Sequence, residues 1–154
     1  EIYQCDWSSD VCSSDLGIWF HLHAEHHQMA IVAMAPAHFH HLAFDIVDWG
    51  QLRVFLDHLG RHGRWLGWGP VHHNLARNLC AYVRIPEENL FVELYCDMEI
   101  LRMPHTPRTW PDDAWGSNTW GILPPRSYFR FDDVAVDYER HQREARGEKL
   151  PPLS

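Results

Sequence analysis

The spacing of apolar and polar positions sorts most of the chain into short strands and two helices. Ile18–Leu22 and Gln28–Met34 read as short apolar strands. His38–Ile46, HFHHLAFDI, alternates as a strand does, with Phe39, His41, Ala43 and Asp45 on one face. Asp48 then offers an N-cap, and Leu52, Phe55, Leu56 and Leu59 follow at helical spacing, predicting an amphipathic helix that ends near Gly60 to Gly63. RWLGW is a further strand, leading into a turn at GPVHHN. Arg77–Ile85 and Leu90–Cys96 are two more strands joined by a PEEN turn. The order β-α-β-β-β, preceded by one or two strands, predicts an α+β fold. Beyond Met103 the texture turns to Pro, Trp and Asp, and a charged helix is expected from about Asp133 to Arg146.

Residues 1–16 do not share this texture. CDWSSDVCSSDL is polar, repeats a Ser-Ser-Asp triplet and has neither the basic start nor the apolar run of a secretory signal. Back-translated, Asp6–Leu16 can be written in codons that resemble the constant part of a widely used short-read sequencing adapter, so 1–16 is expected to be a non-native leader. On that reading Cys5 and Cys12 have no biological role, and Cys80 and Cys96 are ordinary strand thiols. Without the leader's Glu1, Asp6, Asp10 and Asp15, 17 acidic residues face 13 basic ones, so the net charge of −8 relaxes to −4.

Composition narrows the function classes. An acidic balance argues against a nucleic-acid partner. No apolar run is long enough for a membrane span, and the cytosol is the expected compartment. The cysteines lack CxxC spacing, which disfavours a zinc knuckle. The 13 histidines are dispersed through structured-looking sequence, which points to metal or proton chemistry rather than a tag.

Two residues stand out. His41 lies mid-strand among apolar neighbours, and Glu93 lies inside LFVELY, where a lone carboxylate is costly to bury. If their strands are neighbours, the two supply part of a 2-His-1-carboxylate metal site. A hydrogen-bonded core histidine and a strand glutamate on a solvated face are the plainer alternatives. A second group, His26-His27, His72-His73 and Tyr82, offers acid–base and hydrogen-bonding chemistry. Taken singly, each of these reads equally as a loop histidine or a core tyrosine.

In order, HHQMAIV, HHLAF, WGPVHHNLARNLCAYV and VELY resemble the carboxy-terminal half of extradiol ring-cleaving catechol dioxygenases, of the vicinal oxygen chelate (glyoxalase-like) superfamily. The resemblance runs from about Trp19 to Asp97. It implies a βαβββ module, half of a paired-module domain, spanning 17–103, with a loop-rich, partly helical C-terminal extension over 104–154. By that resemblance His41 and Glu93 are metal ligands and His27 is the acid–base residue. His73 and Tyr82 are further catalytic residues, and Trp19 and Asn78 bind substrate. The implied cofactor is Fe(II), with Mn(II) as the alternative ion. The implied partners are a catechol-type small molecule and O2, in a homo-oligomeric full-length protein. Two departures stand out. Val71-His72 replaces the usual Gly-Arg, and the Ile85–Asn89 turn is one residue longer than usual. The family's first histidine ligand belongs to a module upstream of His27, so these residues alone are expected to be inactive. Glyoxalases, epimerases and drug-sequestering proteins use the same fold, and a lyase, isomerase or binding role is the rival. The segment TWPDDAWGSNTWGILPPRSYF resembles the tail that wraps the pocket in these dioxygenases, although its Trp and Pro residues read equally as packing.

Overall fold

The computed structural model describes residues 2–6, 17–33, 37–64, 66–85, 87–102, 104–110, 117–129 and 133–147. The chain divides into two units, one of 1–38, 72–79 and 97–123, the other of 39–71, 80–96 and 124–154.

The first unit carries a four-stranded sheet built from β1 (Ile2–Asp6), β2 (Gly17–His21), β3 (Met29–Val32) and β8 (Thr109–Trp110), in the order β3-β2-β1-β8. β1 runs parallel to β2, while β3 and β8 are antiparallel to their neighbours. Residues 1 and 7–16, the remainder of the segment expected to be a leader, lie outside the described residues.

The second unit holds β4 (His41–Asp45), α1 (Trp49–Arg61), β5 (Leu66–His72), β6 (Leu79–Ile85) and β7 (Leu90–Cys96), then α2 (Arg126–Phe129) and α3 (Asp133–Ala145). The sheet order is β4-β7-β6-β5, with β4 parallel to β7. This is the βαβββ order predicted from the sequence. Asp48 caps α1 by accepting a hydrogen bond from the Gln51 amide at 2.8 Å. One face of the sheet packs on α1 through Leu52, Ala81 and Leu94, with Ile46, Leu56, Leu59, Leu66 and Val92 around them. Phe55, placed on that helix face by its spacing, is instead exposed.

The other strand boundaries differ where the backbone has a reason. His38–His40 are not strand, and β4 begins at His41. GPVHHN is not a turn, because β5 continues through Gly69-Pro70 to His72. β5 is an edge strand, where proline removes no needed hydrogen bond. Gly69 has φ +114°, and a Cβ there would lie 3.0 Å from the Ala81 Cα, so only glycine fits against β6. β6 starts at Leu79 rather than Arg77, because Ala76 and Arg77 both have positive φ, incompatible with a strand.

Candidate active site

Alternation along β6 and β7 sends Ala81, Val92 and Leu94 to α1 and puts Cys80, Tyr82, Phe91 and Glu93 at the intervening positions. In the parallel β4–β7 register Ala43 faces Glu93 and His41 faces Phe91. That offset lets the His41 ring reach the carboxylate, with Nε2 3.2 Å from Glu93 Oε2. Glu93 is buried and His41 half-buried. The burial cost foreseen for Glu93 is therefore offset by a directly apposed imidazole and by a hydrogen bond with the Cys80 thiol. One nitrogen and one carboxylate oxygen converging in a desolvated position is a donor set that suits a divalent cation.

Tyr82 lies beside this pair, its ring edge-on to His41 at 5.4 Å. Trp68 stacks on Tyr82 at 5.5 Å, and Tyr128 meets it edge-on at 5.0 Å. Burial, followed by the neighbouring Cys80 and Glu93, pushes the Tyr82 phenol well above its usual range, and burial does the same to Tyr128. Both hydroxyls stay protonated and are hydrogen-bonded to each other. Cys80 is likewise held as a thiol, by burial and then by the Glu93 charge.

His40, preceding the ligand candidate, is tied on both sides. Its Nδ1 lies 2.7 Å from His41 Nδ1 and its Nε2 2.7 Å from the Tyr128 carbonyl oxygen. Sequence reasoning missed His40, Cys80, Trp68, Phe91 and Tyr128 as parts of this site. His40 and Cys80 had a signal, being adjacent to His41 and two positions before Tyr82. Tyr128 arrives through a contact far along the chain and had none.

Trp19, His27, His73 and Asn78 belong to the first unit. Trp19 is on β2 opposite Ala30 of β3, and its ring folds over Gly17, where a Cβ would lie 2.8 Å from Trp19 Cζ3. His27 precedes β3 and its Nδ1 lies 3.0 Å from His26 Nδ1. Burial, then the charges of His27, Arg108, His105 and His21, hold the His26 pKa at about 2. His73 directs Nδ1 at the Ser117 carbonyl, which accepts its proton and leaves Nε2 with the lone pair. Its amide donates to the Asn78 carbonyl at 3.0 Å, and Asn78 is buried.

The architecture matches solved structures. Homoprotocatechuate 2,3-dioxygenase from Brevibacterium fuscum, in its anaerobic complex with 3,4-dihydroxyphenylacetate, aligns with a TM-score of 0.67 at 19% identity. That alignment covers 83% of this chain and 40% of the dioxygenase. The Mn(II)-bound glyoxalase from Novosphingobium aromaticivorans aligns with a TM-score of 0.64 at 20% identity, over 81% of this chain and 40% of that one. The chain has the vicinal oxygen chelate fold. In sequence, the chain is 25% identical over 111 residues to metapyrocatechase 2 of Cupriavidus necator, covering 70% of this chain. It spans about a third, 33%, of the length of that curated relative. No protein-family model matches it. The resemblance to extradiol dioxygenases read from the motifs is thus carried by a relative in sequence and by neighbours in fold. Among the described residues, no helix is long and apolar enough to cross a membrane.

Proposed function

We propose that these residues are part of an extradiol dioxygenase that opens a catechol-type ring with O2, with His41 and Glu93 as two ligands of an Fe(II) or Mn(II) ion. The observation that carries the reading is the 3.2 Å apposition of His41 Nε2 and a buried Glu93 carboxylate on neighbouring strands. The order of motifs shared with ring-cleaving enzymes supports it. When bound, the ion would supply charge stabilisation for an adjacent diol and a common meeting point for diol and O2.

The chain's own groups do the rest. His27 would move a proton to and from the reacting oxygens. Tyr82, kept protonated by burial, would donate its hydroxyl hydrogen to a substrate oxygen in place of its Tyr128 bond. His73, with its Nδ1 proton committed to Ser117, would accept at Nε2. Trp19 and Asn78 would line and brace the ring pocket. Both atoms of O2 enter the product as a ring carbon–carbon bond beside the diol breaks, so no further reductant is needed.

The domain boundaries belong to the same proposal: 1–16 as leader, 17–103 as the catalytic module and 104–154 as its extension. So do a cytoplasmic location, a homo-oligomeric full-length protein, and inactivity of these 154 residues for want of a further histidine ligand. A glyoxalase-type lyase or isomerase is the second reading, favoured by the match to the Mn(II)-bound glyoxalase. The test is catechol with added Fe(II) and air, followed by the yellow ring-opened product. None is expected from the 154 residues. A gene product extended to the relatives' length should form it and lose it on Glu93→Ala. A protein that binds the metal yet cleaves no diol would favour the second reading.

A further inference from the structure

We propose that Asn118 is a positioning residue: it bridges the segment 117–122 to His72 and so fixes the carbonyl that holds the His73 ring. This rests on the catalytic reading of His73. The ring donates from Nδ1 to the Ser117 carbonyl at 2.5 Å. That carbonyl shares a planar peptide unit with the Asn118 nitrogen, so it turns only if Asn118 turns. Asn118 is fully buried. Its Oδ1 accepts from the His72 amide at 3.3 Å and from the Trp120 amide at 3.0 Å. Its Nδ2 donates to the Ile122 carbonyl at 2.9 Å. Both lone pairs of one oxygen are thus engaged, one by the chain neighbour of His73 and one by the turn that follows Asn118. An apolar side chain of the same size would leave both amides short of this acceptor.

Thr119 gives the same segment a second hold on His72. Its amide donates to the His72 carbonyl at 2.8 Å. Its hydroxyl donates to that carbonyl at 3.1 Å and lies 3.0 Å from His72 Nδ1. The Trp120 ring is tilted against the His72 ring at 5.8 Å. His72, which stands where the resembling enzymes carry Arg, therefore has a use in this chain: its ring and backbone grip the segment that holds His73. The His73 amide, donating to the Asn78 carbonyl at 3.0 Å, fixes the residue from its main-chain side. Ring and backbone of His73 are thus located by separate partners, and the ring partner is in place because of Asn118. A misplacement of about 1 Å in a group that touches substrate is enough to cost about a hundredfold in rate.

The test reads the hold on His73 and its use in catalysis separately. In the 154-residue chain with histidine labelled by nitrogen-15, the His73 ring proton should be visible and slow to exchange with water, shielded by its bond to Ser117. Asn118→Leu should speed that exchange by about tenfold or more, while the His26 and His27 rings of the same unit keep their spectra. Asn118→Asp, which keeps an oxygen for both amides, should restore part of the protection. Thr119→Val should give a smaller change in the same sense and serves if Asn118→Leu fails to fold. In a gene product extended to the relatives' length, Asn118→Leu should lower kcat for catechol about tenfold to a hundredfold and leave KM within about twofold. A His73 ring proton that exchanges equally slowly in folded Asn118→Leu and Thr119→Val would overturn the proposal. So would loss of the His26 and His27 spectra together with that of His73, which would make Asn118 a residue of the fold alone. If the ring proton behaves as stated but the extended product opens no diol, the hold on His73 stands and the ring-cleavage reading falls.

Discussion

The chain contains two His-His pairs with nearly the same internal geometry and opposite surroundings. In His26-His27 the Nδ1 atoms are 3.0 Å apart and the rings meet at 86°. In His40-His41 the figures are 2.7 Å and 84°. What differs is the outer partner. The second pair ends on acceptors, the Tyr128 carbonyl on one side and the Glu93 carboxylate on the other. The first is surrounded by groups that add positive charge, His21, His105 and Arg108, and its buried member is driven to a pKa of about 2. A shared dipeptide therefore says little about chemistry. The partner set turns one pair toward a cation and makes the other reject even a proton.

The largest expected effect comes from removing the acceptor that distinguishes the second pair. Glu93→Ala should weaken divalent-ion binding by about a hundredfold or more, while His27→Ala leaves it unchanged, as isothermal titration would show. A core change should follow in size. Tyr82→Ala removes a buried ring packed between Trp68 and Tyr128 and should cost about 3–5 kcal/mol in urea unfolding. Tyr82→Phe, which loses only hydroxyl bonds, should cost about 1 kcal/mol.

Steric pressure on the second pair is the next step down. A Cβ on Gly67 would fall 2.1 Å from Phe91 Cε1, and Phe91 is the ring against which His40 leans. Gly67→Ala should destabilise by about 1–3 kcal/mol in the same assay and disturb the His40-His41 pair, but not His26-His27. Acid sharpens the comparison from the other side. An unfolded His26 takes up a proton below about pH 6.5 that the folded ring refuses down to about pH 2. Its contribution to stability is whole above pH 6.5 and is lost progressively as the pH falls through that window. His26→Gln should therefore flatten the acid limb of a stability–pH curve. Asp48→Ala, which touches neither pair, should cost about 1 kcal/mol by uncapping α1 and leave metal binding as it was.

How much of this was legible in the sequence depends on the range of the contact involved. Local signals were read well. The Asp48 cap and the Leu52, Leu56, Leu59 stripe gave α1, and β-branched and aromatic alternation gave β7 with its ends at Leu90 and Cys96. The charged tail gave the last helix, α3, from Asp133. The errors came where tertiary contact overrides a local rule. Gly69-Pro70 reads as a turn, yet it is an edge strand because β6 approaches too closely for any side chain at Gly69. For the site, motif spacing brought out His41, Glu93 and Tyr82, which the structure gathers on one face of one sheet. It could not bring out Tyr128 or Trp68, because no local pattern records which distant ring will close over a buried tyrosine.

The most direct test of the account is a Mn(II) titration of the 154-residue chain by electron paramagnetic resonance, following the loss of the free-ion signal. The unaltered chain and His27→Ala should take up one ion with the same affinity, and Glu93→Ala should leave the ion free over the same range. Equal uptake by all three proteins would place the cation elsewhere and contradict the assignment of His41 and Glu93.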